Sequence, residues 1–493
     1  VYLRDLKGDE MRKATFKLML AFLATLALLA TACGGSDSES GGDSNNADSG
    51  SDSTMTIAVP ADQPTIQDAV DAAKPGALIL ISPGVYNEDV DVITDDLTLR
   101  GLDRNTVILD GQFKLENGVR ILEANGVVVE NMTARNFTSN GFYWTGVEGY
   151  RGSYLTAYRN GDYGIYAFDA VNGQLDNSLG SGSPDAGFYI GECYPCNALI
   201  DNVISENNGL GYSGTNSGGD LYIVNSTFRN NRAGVVPNSG SYELCYPERD
   251  TTVVGNLVYE NNNEVAPAIE VALLAQGNGI LLPGGVRNLV QRNQVFNHTR
   301  TGIGLVPYPE EDASDLAPEA AEWDTPCSET HDVEVPPIPA ADCKAVDGLL
   351  KGCVVFWNPY ENRILDNTIS GSGAADLAVG TIDLLGLGVT TDMLRNCFSG
   401  NTFATSAPND LQALAPCDAE GNGGSWDAGA LDLLGLLGSP AAAPPEGTYK
   451  TTPEPAAQPN MPNAAKAPVT PAPTGPPKVD IDAIALPARP AGT

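Results

Sequence analysis

The residues best placed to do chemistry are four carboxylates that recur at fixed distances from a glycine marker. Gly141, Gly164, Gly187, Gly211 and Gly234 each precede an apolar or aromatic residue, namely Phe142, Ile165, Phe188, Tyr212 and Val235. Aligned on that glycine, the position two before it reads Ser139, Asp162, Asp185, Gly209 and Arg232. The position five after it reads Gly146, Asp169, Glu192, Asn216 and Ser239. Asp162 with Asp185, and Asp169 with Glu192, thus form two acidic pairs in successive units. Stacked about 5 Å apart, such a pair suits general acid and base work at a glycosidic bond, or the sharing of a cation, with Ca2+ the candidate for Asp162 and Asp185. The plain alternative is that loops carry these side chains apart into water, as in many acidic proteins.

Two residues past the marker stand Tyr143, Tyr166, Tyr189, Ser213 and Val236. Their neighbours Phe142, Ile165 and Phe188 are apolar and face inward, so strand alternation turns the tyrosines outward as a platform for a sugar ring. Phe142 to Tyr222 holds fourteen of the 34 aromatic residues of the chain, which concentrates stacking surface around the carboxylates. Core packing inside the fold accounts for part of that enrichment.

The elements that must hold these groups are short strands. Met55 to Val59, Leu78 to Ile81, Val90 to Ile93, Leu97 to Leu99, Val107 to Leu109, Val119 to Ile121 and Val127 to Val129 are β-branched or leucine-rich and are punctuated by Gly, Asn or Asp. No helical pattern separates the later ones, which excludes doubly wound and barrel α/β folds. A helix is expected only at Thr65 to Ala73, where Thr65 and Asp68 make a capping pattern.

An apolar-Asn-x-apolar context repeats at Asn131, Asn177, Asn202, Asn225, Asn256, Asn293, Asn367 and Asn401, with Gly152 filling the slot once. Steps of 21, 25, 25 and 23 residues from 131 to 225 match one turn of a parallel β-helix. Equivalent residues then stack about 4.8 Å apart, so these asparagines are expected to form a structural ladder, with the early helix capping the open strand edge. The expected fold is an all-β, right-handed parallel β-helix over residues 55–437, interrupted by a long insertion near 307–353. About eight coil steps would offer a face of roughly 38 Å to a linear polymer.

The ends read differently. Residues 1–33 form an export segment: after ten residues, Met11 opens a basic stretch (Arg12, Lys13, Lys17), followed by an apolar run from Leu18 to Ala32 that is too short to span comfortably. Leu29-Ala30-Thr31-Ala32-Cys33-Gly34 resembles a bacterial lipobox, which implies acylation of Cys33, export, and a membrane anchor on the cell surface or the periplasmic face. Residues 34–54, rich in Ser, Gly and Asp, form a tether, and residues 438–493 form a Pro/Ala-rich tail suited to extended conformations, whose patch Val479 to Leu486 docks back as a strand.

Composition removes several classes of function. With 62 acidic and 27 basic residues the net charge is −35, which repels nucleic acid and anionic lipid surfaces. Only His298 and His331 exist, read as loop or surface residues without partners at metal spacing, and no phosphate-binding glycine loop occurs. Apart from Cys33, eight cysteines remain, enough for four disulfides in an oxidising compartment, with Cys193-x-x-Cys196 read as structural.

From Thr56 to Ala404 the chain resembles the pectin-lyase-like superfamily of right-handed β-helix proteins, with PTIQDAVDAAKPGALILISPGVYNEDVDV similar to their N-terminal capping segment. The strings that mark pectin methylesterases (QDTL, DFIFG), polygalacturonases (NTD, GHG, RIK) and pectate lyases (WIDH, RxPxxR) are absent. Tyr163-Gly164-Ile165-Tyr166-Ala167-Phe168-Asp169 is similar to the YGFDPH string of alginate C5-epimerases but lacks its His. The resemblance implies a carbohydrate-binding or carbohydrate-active protein (lyase, epimerase or hydrolase) with a polysaccharide as partner. A non-catalytic surface scaffold or adhesin is the alternative, and a periplasmic accessory role like that of the β-helix protein serving nitrous oxide reductase maturation is a third.

Overall fold

A computed structural model describes residues 55–240, 243–309, 356–381 and 389–491. Cys33, the tether, His331, Cys327, Cys343, Cys353 and residues 310–353 of the expected insertion lie outside the described residues.

The chain coils into a right-handed parallel β-helix whose strands stack on themselves from turn to turn. Phe142 pairs with Val119 on one side and Ile165 on the other, Ile165 with Phe188, and Phe188 with Tyr212, all in parallel. Strands Phe142–Ser153 and Ile165–Asp176 run on from one face into the next, which joins two faces into a 21-stranded sheet. A 10-stranded sheet forms the third face.

Alternation fixes what fills the interior. Val90, Val119, Phe142, Ile165, Phe188, Tyr212 and Val235 are register partners and all lie within the core. The helix Ile66–Ala72 caps the N-terminal end as expected: Thr65 Oγ1 accepts the Asp68 N–H at 3.0 Å, and Ile66, Ala69 and Val70 are buried. Glu88 supplies a carboxylate to the free N–H groups of Ile66 and Gln67 at the same end.

The expected strands are present within one or two residues, and Gly84–Tyr86 is an additional one. The single asparagine slot is corrected, because it resolves into two adjacent columns. Asn131, Asn177, Asn202 and Asn225 occupy a turn position with positive φ (49° to 58°), which Asn tolerates better than most residues. Tyr154 (φ 52°), not Gly152, fills it in the intervening coil, so the steps from 131 to 225 become 23, 23, 25 and 23 residues.

Asn256, Asn293, Asn367 and Asn401 sit one residue further on and point inside. Their amides form the ladder, Nδ2 to Oδ1, at 3.0, 2.9 and 2.9 Å. A second buried ladder runs through Asn208, Asn231 and Asn261 and ends on His298 Nε2 at 3.3 Å. The reading of His298 as a loop or surface residue is therefore corrected: it is 2% exposed and takes the place of an asparagine.

Among the described residues, Cys193–Cys196 and Cys397–Cys417 are disulfides, and Cys245 is also disulfide-bonded. The Pro/Ala-rich tail is extended but packs on the body through much of its length. Its patch around Ile481–Ala483 docks as a 3-10 turn rather than a strand, with Arg292 donating to the Ile481 and Ile484 carbonyls.

Candidate functional site

The outward positions of one sheet face form a column read directly from the register. It runs Asp91, Arg120, Tyr143, Tyr166, Tyr189, Ser213 and Val236, each beside the next in the neighbouring coil. Tyr143, Tyr166 and Tyr189 thus stack as the alternation requires, with ring centroids 4.8 Å apart at each step. Tyr163 lies flat against Tyr166 at 4.2 Å, and Phe168 stacks on the same ring at 5.9 Å.

The platform is shorter than the sequence implied. Tyr143 and Tyr166 are half-buried, whereas Tyr189 is 1% exposed and its hydroxyl meets both carboxylate oxygens of Glu243, at 2.7 and 2.6 Å. Glu243 belongs to a segment held down by Asn216, whose amide donates to the Gly240 and Glu243 carbonyls. Tyr189 is therefore corrected from an exposed sugar contact to a covered residue that anchors the edge of this segment.

The two acidic pairs sit on opposite margins of the tyrosines. The Asp185 N–H donates to the Asp162 carbonyl at 3.2 Å, so these two residues are stacked in neighbouring coils. Their charges act on Tyr163 and Tyr166, and together with burial, the main cause, they hold both phenols well above the ordinary range. Asp169, at the corner within the strand Ile165–Asp176, and Glu192, just past the strand Ala186–Gly191, lie at the other margin and act on Tyr143, whose phenol is raised mainly by burial and lowered in part by Arg120. Asp185 and Glu192 are buried, and Asp162 and Asp169 half-buried.

Asp169 and Glu192 have φ of 47° and 51°, in one turn column with Gly146 and Asn216. Positive φ in a carboxylate residue can signal a strained functional site. Here Asn207 and Asn230 adopt the same conformation in a turn column with no chemistry, so the conformation belongs to the coil.

This arrangement offers flat apolar rings, phenol hydroxyls that stay protonated at neutral pH, and carboxylates at both flanks. Such phenols donate hydrogen bonds and do not serve as resting bases. Among the described residues no three Asp, Glu, His or Cys side chains converge as a metal site. Asp162 and Asp185 alone would supply only part of the six to eight oxygens that Ca2+ takes.

Arg120 and Tyr163 complete the site and were not nominated from the sequence. Arg120 stands two residues after Gly118, so one more coil in the glycine alignment would have found it. It grips Asp91 through two hydrogen bonds of 2.9 and 2.8 Å. Tyr163 directly precedes the marker Gly164. Glu243 had no signal, because it reaches Tyr189 from 54 residues away.

Residues 104–256 match the model of the right handed beta helix region. No curated protein sequence matches the chain. Among solved structures, it is similar to a mannuronan C-5 epimerase A-module of Azotobacter vinelandii, at 14% identity and a TM-score of 0.45, covering 72% of this chain and 92% of that one. It is also similar to the catalytic domain of a family GH87 alpha-1,3-glucanase in complex with nigerose, at 13% identity and a TM-score of 0.35, covering 73% and 70%. A periplasmic alginate epimerase shares 13% identity at a TM-score of 0.34, covering 74% and 82%.

Proposed function

We propose that this chain is an exported protein, anchored by lipid at Cys33, that binds a linear polysaccharide on the face bearing Tyr143, Tyr163 and Tyr166 and acts on it through the flanking carboxylates. The observation that carries the reading is the aromatic cluster itself, lying in register across neighbouring coils between two pairs of acids. Sugar rings stack on aromatic faces, and coils repeating every ~4.8 Å present side chains at a spacing close to one sugar residue.

Asp169 with Glu192 is the pair assigned to acid and base chemistry, since stacked carboxylates approach the ~5 Å separation of a retaining hydrolase. On a uronic acid polymer a carboxylate of the same pair would instead take the proton α to the sugar carboxylate, with a cation bound beside that group neutralising it, while Ca2+ at Asp162 and Asp185, on the opposite margin, would meet a neighbouring sugar. Glycan binding and release of reducing or unsaturated ends are compared between wild type, Asp169→Ala, Glu192→Ala and Tyr166→Ala. Turnover lost in the acid variants with binding retained, and binding lost in Tyr166→Ala, supports the assignment. Equal binding by all four proteins refutes it.

The burial of Tyr189 and its bond to Glu243 favour a second reading, a non-catalytic scaffold or adhesin, because they withdraw one expected sugar contact. Binding without turnover in every protein would select it. Metabolic labelling with a fatty acid tests the anchor, since label in wild type and none in Cys33→Ser is the expected result.

A further inference from the structure

Away from the aromatic face, a row of buried or half-buried donors runs along the flank of the body. Each reaches a main-chain carbonyl of residues 452–484. Arg100 is fully buried; its Nη1 donates to the Ala467 carbonyl at 2.6 Å and to Ala464 at 3.3 Å, and its Nη2 to Pro468 at 3.1 Å. Arg104, 1% exposed, donates to the Pro459 carbonyl, and Arg159 to Thr452 at 2.6 Å. Arg292 donates to Ile484 at 2.8 Å and to Ile481.

Asparagines complete the set. Asn105 exchanges two hydrogen bonds with the main chain of Gln458, at 2.9 and 2.8 Å, and Asn131 Oδ1 accepts the Met461 N–H at 2.8 Å. Ile484 fits where Gly255 has no side chain, since a Cβ there would lie 2.2 Å from Ile484 Cγ2. Arg489 lies over the Phe296 ring at 4.0 Å.

Ten of the 42 residues 448–489 are proline, so this segment has few N–H groups and many carbonyls that need donors when buried. Guanidinium groups supply several directed donors each and meet that need without a partner strand. The contacts read carbonyls on an extended chain more than they read side chains. No described disulfide ties the segment to the body, and residues 439–446, exposed and half-exposed, contain the joining stretch Pro440 to Pro445.

We propose that this flank is a peptide-binding groove for an extended, Pro/Ala-rich chain, and that residues 448–489 are its exchangeable ligand, held in cis. Arg100, Arg104, Arg159 and Arg292 are the binding residues. The groove is distinct from the aromatic face and does not depend on the carbohydrate reading.

The test uses the full chain with a protease recognition sequence placed within residues 440–446 and cleaved after folding. The tail fragment is expected to stay with the body through gel filtration at micromolar concentration, and a labelled synthetic peptide of residues 448–489 to replace it over hours. Arg159→Gln/Arg292→Gln, at two half-exposed positions, is expected to weaken peptide binding by about tenfold or more while the far-ultraviolet circular dichroism is unchanged. An Ile484→Asp peptide is expected to bind weakly to the unmodified body, which keeps the test independent of folding of the variant. Loss of the fragment on first passage, no exchange, equal binding by variant and wild type, or collapse of the body on release each overturns the proposal.

Discussion

Glu248 is a buried acid with a pH-dependent cost. It is 0% exposed; its Oε2 accepts from Asn288 Nδ2 at 2.7 Å, and its Oε1 has no hydrogen-bond partner among the described residues. Burial, the main cause, raises its carboxyl from 4.5 to about 8, against partial relief from Asn288, Thr251 and Arg249. Below about pH 4.5 both folded and unfolded chains hold the proton, and the group costs nothing through titration. Between 4.5 and 8 the folded chain keeps a proton that the unfolded chain has released, so stability falls as pH rises and levels off above 8.

At one pKa unit per 1.36 kcal/mol, the loss at pH 7 is about 3 kcal/mol relative to pH 4. Glu248→Gln removes the titration and keeps an acceptor for Asn288. Chemical unfolding of both proteins at pH 4.5, 6, 7 and 8.5 gives the difference in stability at each pH. That difference is expected to shift in favour of Glu248→Gln across this range. The slope carries the test, because a constant offset reflects only packing. A difference independent of pH, or one that moves the other way, would refute the reasoning.

The opposite sign applies at His298, which burial lowers from 6.5 to about 3: the folded chain keeps it neutral, so stability is lost as pH falls from 6.5 towards 3. His298→Asn, which continues the ladder, is expected to remove about 3 kcal/mol of that loss at pH 4, as measured by unfolding at pH 7 and pH 4. Asn293→Ala breaks bonds to Asn256, Val253 and Asn367 inside the coil and is expected to cost about 3 kcal/mol, whereas Asn225→Ala at an exposed turn is expected to cost about 1 kcal/mol; thermal melts separate the two. Tyr189→Phe removes the bond to Glu243 and is expected to lower stability by about 1–2 kcal/mol without changing glycan affinity, which calorimetry with the same glycan would check.

The fold was legible because two physical rules act on every coil. Strand alternation placed Phe142, Ile165 and Phe188 inside and their neighbours outside, and the glycine marker kept Asp162 over Asp185 through one 23-residue step. The asparagine slot was misread by one residue. Asparagine serves both at positive-φ turns and in buried ladders, and the two columns are adjacent, so residue type alone does not separate Asn225 from Asn256. Tyr154 hid its turn because tyrosine has no preference for that conformation. His298 was misplaced because a histidine in an Asn ladder has the same sequence surroundings as one in a loop. The covering of Tyr189 by Glu243 and the docking of the tail on the body depend on contacts far apart in sequence, which no local pattern encodes.

The covering of Tyr189 also limits how much polymer the face can hold. Along the outward column, Tyr189, Ser213, Val236 and Leu281 are 1%, 4%, 0% and 7% exposed. Beyond Tyr189 the helix Glu270–Ala275 packs Ala272 and Ala275 against Val236 and Leu281, and further on Leu433 packs on Val306. Among the described residues of this column only Asp91, Arg120, Tyr143 and Tyr166 keep appreciable accessible surface; the first two side chains are 48% and 33% exposed and the two tyrosines half-buried. Four positions are three coil steps, about 14 Å, in place of the ~38 Å that eight steps would give. A face of that length holds about three sugar residues. Affinity for an oligosaccharide ladder, measured by calorimetry from two to eight residues, is therefore expected to rise up to three or four residues and then level off. A continued gain of tenfold or more between four and eight residues would mean that the chain crosses Tyr189, which requires the Glu243 segment to lift, and the Tyr189→Phe variant would then bind the longer oligosaccharides more tightly than wild type.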